Sequence, residues 1–166
     1  RDNNGNAIVR NVAYRVYVLT VADGLIRSAN ALSAASNDFT LTEKSVAAVT
    51  SLSADPVNGG SAIRVSFTPP TNTAGISAYA IMLVPSGNAG NFTLADANRV
   101  TSPNYQTVTG SVYSEWSFTT MNTDASGNAI RANVAYRAFV LSIANGSSAT
   151  VNALSPASRE ATIISQ

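Results

Sequence analysis

Two oxygen-rich runs are the first candidates for chemistry in this chain. Asp2-Asn3-Asn4-Gly5-Asn6 and Asp124-Ala125-Ser126-Gly127-Asn128 gather the carboxylate, amide and hydroxyl oxygens that a hard cation takes. Asp2, Asp124 and Asn128 are therefore the calcium candidates. Neither run spaces its carboxylates as an EF-hand loop does, and Asp, Asn and Gly together are what tight turns require, so the turn reading is preferred. Trp116, with Tyr113 and Tyr105, has the aromatic faces on which a sugar stacks. Its phase with Val112, Ser114 and Phe118 assigns it instead to the core side of a strand. Lys44 carries an amine that could form an intramolecular isopeptide bond, but that chemistry needs a lysine buried beside its Asn partner, and Lys44 follows Glu43 in a linker. Glu43, Glu115, Glu160 and six Asp contain the raw material of a glycosidase pair without the aromatic subsites such an enzyme needs. Asn91-Phe92-Thr93 and Asn145-Gly146-Ser147 fit the N-glycosylation pattern and mark exposed loops.

Composition removes other classes. Cys and His are absent, which excludes disulfides, thiol nucleophiles, structural zinc and His-based acid–base catalysis. Only 11% of residues are charged, the net charge is +1, and Lys44 is the sole lysine, so there is no basic face for nucleic acid and no polybasic membrane signal. No apolar run is long enough to span a bilayer. Apolar residues make up 45% of 166, enough for a substantial core. A non-enzyme without a cofactor, calcium aside, is the expectation.

The elements that would position these residues occur twice. Residues 2–36 align without a gap on residues 124–158, an offset of 122 with 20 of 35 positions identical. Self-similarity at a domain-sized offset is the mark of a tandem array. The second copy follows a long stretch with no counterpart before the first, so residues 1–42 read as the last two strands of a preceding repeat and 43–166 as a complete one. The chain looks cut from a longer protein. Its short boundary at 41–45 predicts a stiff joint.

Short β-branched and aromatic runs separated by Gly, Pro, Asn and Ser predict an all-β chain. Strands are expected near 11–22, 31–42, 46–54, 61–69, 76–84, 112–120, 133–144 and 153–164. Residues 92–99 are the exception: Thr93 and Asp96 have capping-box spacing ahead of Leu94, Ala95 and Ala97, which predicts a short helix.

Phe67-Thr68-Pro69-Pro70, then Ile76, Tyr79 and Ile81, then Tyr136, Ala138, Val140 and Gly146 follow one another in an order that resembles a fibronectin type III domain. The resemblance covers residues 45–164, and 10–42 resemble the last two strands. It implies a fibronectin type III-like, immunoglobulin-like β-sandwich with a helical insertion at about 85–111, longer than the family's usual connection there. Residues 84–98, with the 123–130, 134–146 and 29–36 segments, look like repeats of large cell-wall and S-layer-associated proteins of Gram-positive bacteria. That likeness implies an extracellular spacer, or the protomer of a surface layer or fibre. The implied partners are other copies of the repeat, in the same chain or between chains, with cell-wall polysaccharide as a further candidate. A carbohydrate-binding or adhesive accessory module and a phage virion fibre or decoration domain are the alternatives.

The sixth strand of the repeat is apolar on both faces. Tyr136, Ala138, Val140 and Ser142 alternate with Arg137, Phe139, Leu141 and Ile143, and Tyr14, Val16, Val18 and Thr20 alternate in the same way with Arg15, Tyr17, Leu19 and Val21. One stripe belongs to the core. The other needs a cover. The preferred cover is the helix of residues 93–99, through Phe92, Leu94 and Ala97; the competing reading docks a neighbouring repeat. Tyr14, Val16, Tyr17, Val18, Leu19, Phe139, Leu141 and Ile143 are thus the interface candidates. An isolated hairpin is marginal in water, so residues 1–42 must pack on a missing domain, the next domain or another chain.

Overall fold

The β-branched and aromatic residues around 13–20 and 31–40 form paired extended segments in the computed structural model, which describes residues 1–26, 29–110 and 114–165. The chain divides into the units Arg1–Glu43 and Lys44–Gln166. In the first unit, β1 (Ala13–Tyr14) pairs antiparallel with β4 (Phe39–Thr40), and β2 (Leu19–Thr20) pairs antiparallel with β3 (Ala31–Leu32). Two long strands were expected here, and two interrupted ones are found. The hydroxyls of Ser36 and Ser33 accept the N–H of Val16 and Val18, both at 2.9 Å, while the Ser36 and Ser33 N–H groups donate to the carbonyls of Val16 and Val18. Side-chain oxygens replace backbone acceptors, and residues 33–36 bow out of the ladder.

The second unit continues with β5 (Thr50–Val57), β6 (Ala62–Thr68) and β7 (Ile76–Pro85). The helices α1 (Ser86–Ala89) and α2 (Leu94–Ala97) come next, then β8 (Gln106–Val108) and β9 (Ser114–Phe118). It closes with β10 (Ala135–Ala144), β11 (Ala153–Leu154) and β12 (Glu160–Thr162). One antiparallel sheet has the order β5-β6-β9. The other has the order β11-β10-β7-β8, with β12 also paired to β10. The expected strand at 112–120 begins outside the described residues, and β8 lies within the segment read from sequence as insertion.

Alternation sorts the side chains. Ile63, Val65 and Phe67 of β6, Tyr79, Ile81 and Leu83 of β7, and Tyr136, Ala138 and Val140 of β10 share one buried cluster with Ala54 and Phe118. Phe67 and Tyr79 meet with ring centroids 5.1 Å apart. The first strand changes allegiance along its length: Ser45 bridges Val151 in parallel and the Val46 N–H donates to the Val151 carbonyl at 3.0 Å, whereas β5 pairs with β6. Ser51, at φ 52°, sits at the register shift on the β6 side of the change. Gly75 shows why a residue without Cβ is needed at one loop: its φ is 88°, and a Cβ there would meet the Ala149 methyl at 2.8 Å.

Candidate functional site

The outer face of β7 and β10 is apolar, and it is covered from within. Ala80, Met82 and Val84 alternate outward on β7; Phe139 and Leu141 do so on β10. Over them lie Phe92, Leu94, Ala97 and Val100 of the 86–105 segment, with Tyr105 at its end. The Phe92 and Phe139 rings stand 4.9 Å apart at 50°. The cover is fastened by polar contacts. Thr93 and Asp96 form the capping box: the Thr93 N–H donates to Asp96 Oδ2 at 2.9 Å and Thr93 Oγ1 accepts the Asp96 N–H at 3.3 Å. The Thr93 hydroxyl and N–H hold the Asp96 carboxyl below the usual carboxylate range. Asn152 Nδ2 donates to Asn98 Oδ1 at 2.7 Å, tying the end of α2 to the hairpin, while Asn152 Oδ1 accepts the Ala144 N–H. This Asn pair was not singled out from sequence; its signal is the asparagine that both copies keep, at positions 30 and 152. Phe139 and Leu141 are consequently buried under the insertion, and Ile143 is partly buried there, rather than presented to a neighbour.

The oxygen-rich runs are built as turns. Asp124 is buried, and its Oδ1 accepts the N–H groups of Ser126 (2.9 Å) and Asn128 (3.0 Å), while the Asn128 carbonyl accepts the Asp124 N–H. Asp2 repeats the arrangement with Asn4 and Asn6, and the Asn6 N–H holds its carboxyl below the ordinary value. Among the described residues no group of three or more His, Cys, Asp or Glu is gathered to hold a metal ion. Just beyond each loop, a tyrosine hydroxyl accepts a backbone N–H five residues upstream: Tyr136 from Arg131 at 3.0 Å and Tyr14 from Val9 at 2.8 Å.

The remaining candidates are dispersed. Trp116 shares its strand face with the buried Ser114 and Phe118 but is 41% exposed, because β9 is the last strand of the β5-β6-β9 order. Its expected place in the core is thus corrected to an open edge; Val112 and Tyr113 lie outside the described residues. The carboxylates serve separate contacts: Glu160 with Arg137 at 3.2 Å, Glu43 with Arg10 at 3.9 Å, Asp38 with Arg15, and Asp55 with Arg159. The Lys44 carbonyl accepts the N–H groups of Thr150 and Val151, at 2.9 and 3.3 Å, and its side chain is exposed. Asn145 Oδ1 accepts the N–H groups of Ser147 and Ser148 and so holds a turn. Among the described residues no helix is long and apolar enough to cross a membrane.

In the first unit, Val16, Tyr17, Val18 and Leu19 are all exposed, on both faces of the hairpin, and Tyr14 is half-buried against Phe39. Comparison of the chain with family models, curated proteins and solved structures gives no match.

Proposed function

We propose that this chain acts as a non-catalytic structural repeat in a tandem array of fibronectin type III-like sandwiches on a bacterial cell surface, as a spacer or as the protomer of a surface layer or fibre. The observation that carries the reading is repetition in register. Leu141 faces Leu154 and Ala135 faces Thr162; the same pairs, 122 residues earlier, are Leu19 with Leu32 and Ala13 with Thr40. Two features support the sandwich type. The first, second and fifth strands of the second unit form one sheet and the third, fourth, sixth, seventh and eighth the other, the last two both pairing with the sixth, an arrangement like that of a Greek-key sandwich. The hydroxyl of Tyr136, near the start of β10, reaches back to the Arg131 N–H as in the tyrosine corner of such folds.

A mechanical role also agrees with how the unit would meet tension. The segment entering at Lys44 lies parallel to residues 150–151 and is bonded to them at Lys44 and Val46. Pulling the start of one parallel segment against the end of the other loads these bonds in shear, all at once. Force spectroscopy on a concatemer of residues 44–165 tests this. Each unit should unfold as one event that releases roughly 400 Å of chain, from about 3.3–3.6 Å per residue. Extension without distinct force peaks would overturn the spacer reading.

One observation favours a second reading, an accessory module for cell-wall polysaccharide: the exposed Trp116 on an edge strand. As the sole tryptophan it reports directly. Saturable quenching by purified polysaccharide, matched by binding that Trp116→Ala abolishes in calorimetry, would carry that reading.

A further inference from the structure

Resting on the array reading above, we propose that the hairpin of residues 1–43 is one complementary half of a repeat: its two faces fit a repeat body like residues 44–122 whose own hairpin position is vacant. The equivalence extends well beyond strand register. Val16 and Val18 donate to Ser36 and Ser33 hydroxyls as Ala138 and Val140 donate to Ser158 and Ser155. Asn11 and Asn133 take the same left-handed conformation, φ 61° and 62°, and their N–H groups donate to the carbonyls of Leu41 and Ile163. The hairpin is thus already in the conformation its counterpart holds inside a complete unit.

The environments differ completely. Val140 and Leu141 are 0% and 5% exposed, whereas Val18 and Leu19 are 62% and 54% exposed. In the complete unit, the inner face of β10 meets the β6 and β7 core, and the outer face lies under Phe92 and Ala97. The inner positions of the first hairpin carry Tyr14, Val16 and Val18. The outer ones carry Tyr17, Leu19 and Leu32 in place of Phe139, Leu141 and Leu154. Asn30 Oδ1 accepts the Ala22 N–H at 2.8 Å as Asn152 Oδ1 accepts that of Ala144. This sets the Asn30 amide nitrogen where Asn152 meets Asn98 of the insertion. The long edge that β10 gives to β7, from Tyr136 opposite Pro85 to Ala144 opposite Ile76, corresponds to residues 14–22. The occupant implied is therefore a β7-like strand with its helical insertion and the β5-β6-β9 sheet behind it. A second intact copy of this chain does not offer that place, because its body already holds its own hairpin, with Tyr136, Ala138 and Phe139 buried.

The test joins a second copy of residues 44–122 directly before Arg1, which keeps the 122-residue frame, and follows amide hydrogen exchange in the original and extended chains. In the original chain the Val16 and Val18 amides should exchange at least about 100-fold faster than those of Ala138 and Val140. In the extended chain the two sets should be protected to within about tenfold of each other. Val18→Asp in the extended chain should remove the protection at Val16 and leave Val140 unchanged. A control extended chain carries residues 123–165 in place of 1–43, so that a general failure of the added body to fold is recognised. If the control is protected and the native hairpin is not, the proposal is overturned. It is also overturned if the original chain alone protects Val18 and doubles its mass by light scattering, which would assign the face to a second copy. Neither result alters the force response of residues 44–165, so failure here is distinct from failure of the spacer reading.

Discussion

Replacing Phe92 with Ala tests whether the insertion exists to cover the outer stripe of β7 and β10. Phe92 is partly buried, and its ring meets Phe139 at 4.9 Å and 50°, a tilted geometry of the attractive kind. Truncating a fully buried Phe costs about 3–5 kcal/mol. Phe92 keeps part of its surface in water, so the expected cost is about 2 kcal/mol, near half of it from the ring pair. For a unit of this size that lowers Tm by roughly 5–10 °C. Urea titration of residues 44–165, followed by circular dichroism, gives the stability. Light scattering and binding of a hydrophobic dye report the second consequence, since Phe139 and Val84 would then face solvent as a contiguous patch. Arg99→Ala, on the same segment but with its side chain 78% exposed, is the control and should stay within about 0.5 kcal/mol of the parent. A Phe92→Ala protein that matches the control in stability and dye binding would refute the covering role.

Three further outcomes follow from buried polar groups. The Tyr79 hydroxyl is buried and has no hydrogen-bond partner among the described residues, so Tyr79→Phe should stabilise the unit by about 1 kcal/mol in denaturant titration; destabilisation would mean that the hydroxyl bonds to a trapped water. Burial also pushes the Tyr79 phenol above its ordinary value of 10.0, so the folded chain keeps that proton after the unfolded chain has released it. Stability is therefore unaffected by this proton below pH 10.0 and falls as pH rises from there through the folded value, and the Phe variant should lose less stability than the parent between pH 10 and 11. Ser155→Ala or Ser158→Ala should each cost about 1–3 kcal/mol by thermal or urea unfolding, because the N–H of Val140 or Ala138 is then left unpaired in the interior; an unchanged midpoint would show that those amides find another acceptor.

What could be read from sequence was whatever repeats at short period or at long offset. Alternation places Tyr79, Ile81 and Leu83 on the opposite side of β7 from Ala80, Met82 and Val84, and that division holds because both sides of the strand are buried by different partners. The Thr93 and Asp96 spacing likewise yields the capping box, since that motif is closed within four residues. Position in a sheet has no such local signature. Trp116 alternates with buried neighbours yet lies at an edge, because nothing in residues 114–118 encodes which strand stands beside them. β8 is missed because Gln106, Thr107 and Val108 are too few to show a period, and their pairing with Tyr79, Ala80 and Ile81 is decided by β7.

The interruption between β11 and β12 joins these scales. Pro156, which lacks an N–H, sits between Ser155 and Ser158, and the serine hydroxyls supply acceptors where the backbone leaves the ladder. The first copy has Ala34 in place of that proline and makes the same bonds through Ser33 and Ser36. The bow therefore does not depend on proline. The serines specify it, and they do so in a hairpin whose faces are bare as well as in one whose faces are packed. Local hydrogen bonding thus holds the same shape in this hairpin with or without a core packed against it, which is the property that a half-repeat awaiting its complement would need.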